Sequence, residues 1–468
     1  RQARDVLAGG GIAFEAAVAA AWMAMVCEPV LASVGGGGFA MVKVGGGTPV
    51  LIDFFAQTPR SKNFDTGDFR EIFADFGEAK QGFHIGCAAT ATPGLVPGLY
   101  HLHGRHGVRP MANLLAPAIA AARGGVAVTA YQHLLSTIVA PILVASAEAR
   151  ALFAPSGALI AVGERFTNAG LGDLLDGLAG DGMGHYRDHV VPAILASLGD
   201  DGHLSGDDFT AYAVEERVAL ELSLGGLTVW LNPLPSAGGT LIAHTLDAMT
   251  EMSATGFARA LERTDRERAD QASALSVRLN VAGPASYRGT THISVIDRDG
   301  NACSMTLSNG EGNGEIAGGL GFMPNNMLGE SDVNPLGALG WAEDRRLSSI
   351  MCPAVGCGAD GAVFALGSGG SNRIRSAIAA VLWRLSEDGD GLQAAVSAPR
   401  MHVEAGHLDV EGQFAVADLE ALKSCFGDHR VWAQPNMFFG GCHAAMCGSD
   451  GSLSGAGDAR REGVAYVC

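Results

Sequence analysis

Residues 288–295 read Arg288-Gly289-Thr290-Thr291-His292-Ile293-Ser294-Val295. From Thr291 onward the residues are β-branched and alternate, which predicts a strand. What sets the stretch apart is the Gly289–Thr290 bond. A hydroxyl residue that follows a glycine can attack the preceding carbonyl where the turn is strained. Glycine tolerates that strain because it has no Cβ. Cleavage there leaves Thr290 as a new amino terminus. Its α-amine, with a reference pKa of about 8, then serves as general base for its own Oγ. One residue supplies both nucleophile and base, so no separate triad is required.

Working outward, ACSMTL (302–307) follows Asp297-Arg298-Asp299-Gly300-Asn301. The Asp-Gly pair predicts a hairpin with THISVI (291–296). AVFALG (362–367) reads as another strand, leading through Ser368-Gly369-Gly370-Ser371 into a helix near 373–386. Later strands are expected at 407–411, 431–434 and 462–467. Upstream, AFEAAVAAAWMAMVC (13–27) is a nearly all-apolar pattern that predicts a buried helix. Gly35–Gly38 follows, then strand-like Phe39–Val44 and Val50–Phe54 around Gly45-Gly46-Gly47. Residues 60–87 are polar and mixed. Helical patterns run from Thr92 to about Ala145 and recur at 188–199 and 238–280. The outline is a helix-rich first part and a strand-rich last part, without an internal repeat.

Composition narrows the function. The chain has 468 residues, 48% of them hydrophobic, 17% charged and 66 of them Gly. That supplies ample core for about three domains or one large unit and excludes global disorder. Lys plus Arg number 31 against 49 Asp plus Glu, a net charge of −18, which disfavours nucleic acid as a partner. No apolar run is long enough to cross a bilayer; the best, Ala16 to Cys27, stops at Glu28. No signal-peptide pattern is visible. The nine Cys are scattered and contain no CxxC, so a disulfide framework is not expected and reduced thiols point to the cytoplasm, with the periplasm as the alternative. Cys442, His443 and Cys447 lie close in sequence, but no second pair has zinc spacing, and they read as residues of a strand.

Other motifs fail on context. Gly35–Gly38 follows a helix and opens a strand, the reverse of a dinucleotide fingerprint, and reads as close backbone packing. GxxxxGK[ST], GxSxG and HExxH are absent. His101, His103 and His106 lie on a polar helical stretch and read as solvated.

Further pieces fall in order around the Thr290 stretch: GGGGF after the first long helix, Ala91-Thr92-Pro93-Gly94 with Gly98, Pro235-Ser236-Ala237-Gly238-Gly239, Thr290-Thr291-His292, Asn325-Asn326-Met327, Leu347-Ser348-Ser349, Gly367 to Ser371, and the tail Gly455 to Arg460. Together they resemble the γ-glutamyltranspeptidase family of N-terminal nucleophile hydrolases over almost the whole chain. The resemblance implies a four-layer αββα sandwich of the α+β class. It implies one precursor cut at Gly289–Thr290 into a large part, 1–289, and a small part, 290–468, which together make one domain and pair as subunits, with a homodimer of these as a further option. No metal or organic cofactor is implied. The partner is a small amide of γ-glutamyl type.

The resemblance also implies roles. Thr290 is the nucleophile, and Ser308 is the hydroxyl that hydrogen-bonds it. Gly369 and Gly370 form the oxyanion hole with backbone N–H groups. Asn309 and Glu330 hold the donor's α-amino group, and Ser348 and Ser349 lie near its α-carboxylate. Three departures stand out. Phe55 occupies the place of an Arg that clamps the α-carboxylate, and a Phe offers no bidentate cation. Losing such a charged hydrogen bond costs about 1.5–3 kcal/mol, so carboxylate recognition is expected to weaken unless Arg60 or another Arg substitutes. The segment between Gly239 and Thr290 is short, and Asn309-Gly310-Glu311-Gly312-Asn313-Gly314 replaces a bulkier loop. These leave room for an acylase acting on a glutaryl-cephalosporin-like or oxamate-like amide. The rival of another class is an uncut, non-catalytic binding protein.

Overall fold

The computed structural model describes residues 1–65, 67–75, 80–270, 274–279, 289–330, 334, 339–387 and 391–468. Arg288 lies outside the described residues. Two antiparallel sheets face each other, and helices cover both outer faces. The strands of these sheets are β1 (Gly37–Lys43), β2 (Val50–Phe54), β3 (Glu215–Val218), β4 (Leu220–Leu224), β5 (Leu227–Leu231), β6 (Thr291–Ile296), β7 (Ala302–Ser308), β8 (Ala354–Gly358), β9 (Val363–Gly369), β10 (Gly441–Cys447) and β11 (Leu453–Ala456). The first sheet runs β6-β7-β1-β2-β3 and the second β11-β10-β9-β8-β5-β4.

Strand periodicity explains the layering. Along β1, Phe39 and Met41 enter the core that holds the second sheet, while Ala40 and Val42 face the other way. That other side is packed by helices Ala13–Cys27, Leu95–His106, Met111–Gly124 and Ala169–Asp181. A strand buried on both faces reads as a continuous apolar run, as β1 does. Each such large side chain withdrawn from water contributes about 1.5–3 kcal/mol. Helices Ala237–Asp247, Ala254–Ala269 and Arg373–Ser386 complete the opposite layer through Leu241, Phe257 and Ile378. The αββα sandwich expected from the sequence is the fold observed.

The same alternation positions chemistry. On β7, Cys303, Met305 and Leu307 face the first helix layer. Ser304, Thr306 and Ser308 therefore point between the sheets, where the Ser304 hydroxyl donates across to the Leu366 carbonyl at 2.8 Å. On β6, Ile293 and Val295 share the outward side, leaving His292 and Ser294 inside. Thr290 stands in the inward phase.

The remaining expectations divide. Gly35–Gly38 is indeed close packing: a Cβ on Gly36 would stand 2.4 Å from the Ser308 carbonyl oxygen. Cys442, His443 and Cys447 sit on β10. The stretch 238–280 is three helices, Ala237–Asp247, Ala254–Ala269 and Ala274–Leu279, with 271–273 and 280 outside the described residues. Residues 60–87 include the antiparallel pair Arg70–Asp75 and Lys80–Ile85. The strand placed at 431–434 is His429–Trp432, parallel to His407–Glu411. No strand forms at 462–467. A 3₁₀ turn, Ala459–Arg461, precedes this stretch; a Cβ on Gly455 of β11 would stand 2.9 Å from that of Ala465, while Val464, Tyr466 and Val467 are exposed. Among the described residues no helix is long and apolar enough to cross a membrane.

Candidate active site

The β6–β7 hairpin pairs Thr291 with Leu307, so one further step of register sets Thr290 opposite Ser308. Thr290 is 3% exposed. The Ser308 hydroxyl, expected on the nucleophile, instead donates to the Gly289 carbonyl oxygen at 2.8 Å and accepts from the Gly310 N–H at 3.1 Å. The Gly289 N–H donates to Glu311 Oε1 at 3.0 Å. Both polar groups of the residue before Thr290 are thus held.

The end of β9 closes on the same point. A Cβ at Gly369 would lie 2.4 Å from the Thr290 carbonyl oxygen, so only glycine allows this approach. Gly370 and Ser371 follow with φ of +128° and +54°, and the chain turns into helix Arg373–Ser386. The Arg461 guanidinium flanks the pair, with Nη1 3.0 Å from the Cβ position of Gly369 and Nη2 3.3 Å from that of Gly370. A helix N-terminus, two bare peptide units and a nearby cation favour negative charge here.

A cavity of about 10 Å³, room for roughly one water molecule, opens at Thr290. Phe55, Ser308, Glu330 and Ser349 line it together with Thr290, so five of the residues singled out in the sequence meet there. Met327, Ile350, Met351 and Ile374 make its walls apolar. Asn309 and Ser348 do not line it. The Asn309 amide donates to the Met323 carbonyl at 3.2 Å, and Ser348 is half-buried. Glu330 packs its carboxylate over the bare Cα of Gly310, 2.0 Å from where a Cβ would stand. Ser349 Oγ accepts from the Met351 N–H at 3.1 Å, and its carbonyl accepts from the Ala237 N–H at 2.7 Å. That contact ties the Pro235–Gly239 segment to the site.

Phe55 is fully buried and stacks on Phe39 with ring centroids 5.2 Å apart. The arginines near it turn elsewhere. Arg346 reaches the Phe55 carbonyl at 2.5 Å and pairs with Asp53 at 3.5 Å. Arg60 is 47% exposed and pairs with Asp344 at 3.6 Å. Among the described residues no cation lines the cavity.

Neighbouring histidines support the site without entering it. His292 bridges the hydroxyls of Thr306 and Ser294, each at 2.8 Å, and a Cβ on Gly367 would run into its ring. Burial holds its pKa well below the ordinary value and keeps it neutral. Burial likewise pushes His443 down to about 4. On helix Leu95–His106 the histidines read as solvated are half-buried instead, His101 meeting Glu216 at 3.0 Å and His103 the Arg109 carbonyl at 2.6 Å. The sequence reading missed Glu311 and Arg461. An acidic residue between two glycines, three positions after Ser308, was the available signal for the first. Nothing in the sequence brings Arg461 to Gly369.

The chain matches the family model for Gamma-glutamyltranspeptidase over residues 1–274 and 258–468. It is 28% identical over 510 residues to the acylase ACY 1 proenzyme of Pseudomonas sp. strain V22, covering 98% of this chain and 90% of that protein. It is 27% identical over 521 residues to the glutathione hydrolase proenzyme of Escherichia coli K12, covering 97% and 88%. The crystal structure of cephalosporin acylase from Bacillus halodurans superposes with a TM-score of 0.82 at 22% identity, covering 99% of this chain and 92% of that one.

Proposed function

Because the chain belongs to the γ-glutamyltranspeptidase family, we propose that it matures by cutting its own Gly289–Thr290 bond and then hydrolyses or transfers a small acyl group through an ester on Thr290. In maturation, Thr290 Oγ bonds to the Gly289 carbonyl carbon, the C–N bond breaks and the hydroxyl proton ends on the freed amine. Water then hydrolyses the ester, leaving a Gly289 carboxylate. In turnover, the same amine takes the Oγ proton as Oγ attacks an amide and returns it to the leaving amine. Gly369 and Gly370 stabilise the oxyanion. The observation that carries this reading is the Ser308 hydroxyl on the Gly289 carbonyl, a donor already on the oxygen that gains charge.

The acyl donor is a γ-glutamyl-type amide read through its amino group by Glu330. The buried Phe55 and the absence of a cation among the described lining residues argue against a clamp on the α-carboxylate. A second reading, an acylase on a different small acyl group, draws support from the apolar walls, Phe55, Met327, Ile350, Met351 and Ile374.

Sheet order supports one inseparable unit after the cut. In the first sheet β6 and β7 fall in the small part and β1, β2 and β3 in the large; in the second, β5 and β4 of the large part join β8 to β11 of the small. Separating the parts would open both sheets and the core between them. Expected on gel filtration of matured protein is a single peak that contains both parts, resolving into two fragments divided between Gly289 and Thr290 only in denaturant. Free fragments in native buffer, or one uncut chain after long incubation, would contradict the proposal, the latter favouring a non-catalytic binder.

A further inference from the structure

The stretch Asn309-Gly310-Glu311-Gly312-Asn313-Gly314 leaves β7 directly after Ser308. Gly310 and Gly312 take φ of +64° and +99°, so the chain folds back on either side of Glu311, and a side chain at either glycine would be strained. Asn326 pins the turn, its Oδ1 accepting from the N–H of Glu311 at 2.9 Å and of Gly312 at 3.2 Å. The side chain delivered this way is 3% exposed. A buried carboxylate is costly unless it is engaged, and this one takes the Gly289 N–H at 3.0 Å. On the other side of the same glycine the Ser308 hydroxyl holds the carbonyl at 2.8 Å.

We infer that Glu311 is a positioning residue for the chain's own cleavage, anchoring the Gly289 N–H so that the carbonyl of that residue is presented to Thr290 Oγ with Ser308 on its oxygen. The inference rests on Gly289–Thr290 being the bond that is cut. A glycine has only two soft dihedrals, and holding its N–H and its C=O together fixes both. In an intramolecular attack, orientation sets much of the rate. The contact that does the positioning is the acceptor oxygen at that reach.

The test follows cleavage of the full chain after cell-free synthesis, by denaturing electrophoresis and intact mass. Glu311→Gln keeps an acceptor oxygen at the same reach and cleaves within about threefold of the parent rate. Glu311→Asp falls short by one methylene and Glu311→Ala has no acceptor, and both cleave at least about tenfold more slowly, equivalent to about 1.4 kcal/mol in the barrier. Equal rates for Glu311→Asp, Glu311→Ala and the parent overturn the inference, and so does a Glu311→Gln chain as slow as Glu311→Ala. Should Glu311→Ala fail to fold, the Gln and Asp variants decide alone. A parent chain that never cleaves, or a Thr290→Ala chain that does, overturns the underlying reading of the bond instead.

Discussion

Replacing Thr290 with Ala leaves the chain in one piece and without activity. Two steps depend on the same oxygen. Without Oγ nothing attacks the Gly289 carbonyl, although Ser308 remains 2.8 Å from it. Without cleavage there is no α-amine at residue 290 to act as base, so both halves of the catalytic unit vanish at once. Removing a nucleophile from a comparable unit costs on the order of 10⁴-fold or more in turnover. Intact mass and hydrolysis of a γ-glutamyl anilide check this together. Thr290→Ser keeps a hydroxyl and is expected to cleave and turn over, more slowly. A Thr290→Ala protein that is cut at residue 289, or that hydrolyses the anilide at the parent rate, would remove Thr290 from both roles.

Donor selectivity is the second large effect. Glu330 lines the cavity, Phe55 forms its wall and no cation stands there among the described residues. An acyl chain bearing an ammonium therefore meets a carboxylate, whereas one bearing only a carboxylate meets a carboxylate and an aromatic ring. A hydrogen bond to a charged group contributes about 1.5–3 kcal/mol, which is roughly ten- to hundredfold in kcat/KM. Three anilides separate the terms. The γ-glutamyl donor carries both groups, the 4-aminobutyryl donor only the amine and the glutaryl donor only the acid. Expected is a glutaryl rate at least about tenfold below the γ-glutamyl rate, with the 4-aminobutyryl donor close to the γ-glutamyl one. Equal γ-glutamyl and glutaryl rates would show that the amine is not read and would remove the role given to Glu330. A strong loss on deleting only the carboxylate would mean that a cation reaches the donor despite Phe55.

Local signals carried much of the fold. The Asp-Gly hairpin, the all-apolar helix at 13–27 and the strand running into the helix at 373–386 each rest on periodicity or turn chemistry within a short window. The failures have physical causes. Residues 215–231 hold three strands, yet Glu215–Val218 is an exposed edge with a charged pattern. The hairpin joining the other two turns on Gly225-Gly226, both at positive φ, a pair whose meaning was legible and was passed over. Ser253 was a similar sign: its hydroxyl accepts from the Gly256 N–H at 3.0 Å and starts a new helix, breaking the single stretch expected at 238–280. The tail at 462–467 has strand-like residues and runs beside β11, Ala465 against Gly455 and Gly463 against Gly457, yet it forms no ladder with that edge. Within the site, Thr290, Ser308, Phe55, Glu330 and Ser349 were legible because each belongs to a motif. Glu311 offered only its place between two glycines; its role depends on the conformations of both and on Asn326 folding back from fifteen residues away.

On this mechanism Thr290 becomes a chain terminus and carries the acyl group. Quenching the protein during turnover of an activated amide and mapping the mass of the small fragment tests both at once. Expected is a small fragment that begins at Thr290 and carries one acyl group on that first residue. An acyl group on any other residue, or turnover by a chain still joined at Gly289–Thr290, would contradict it.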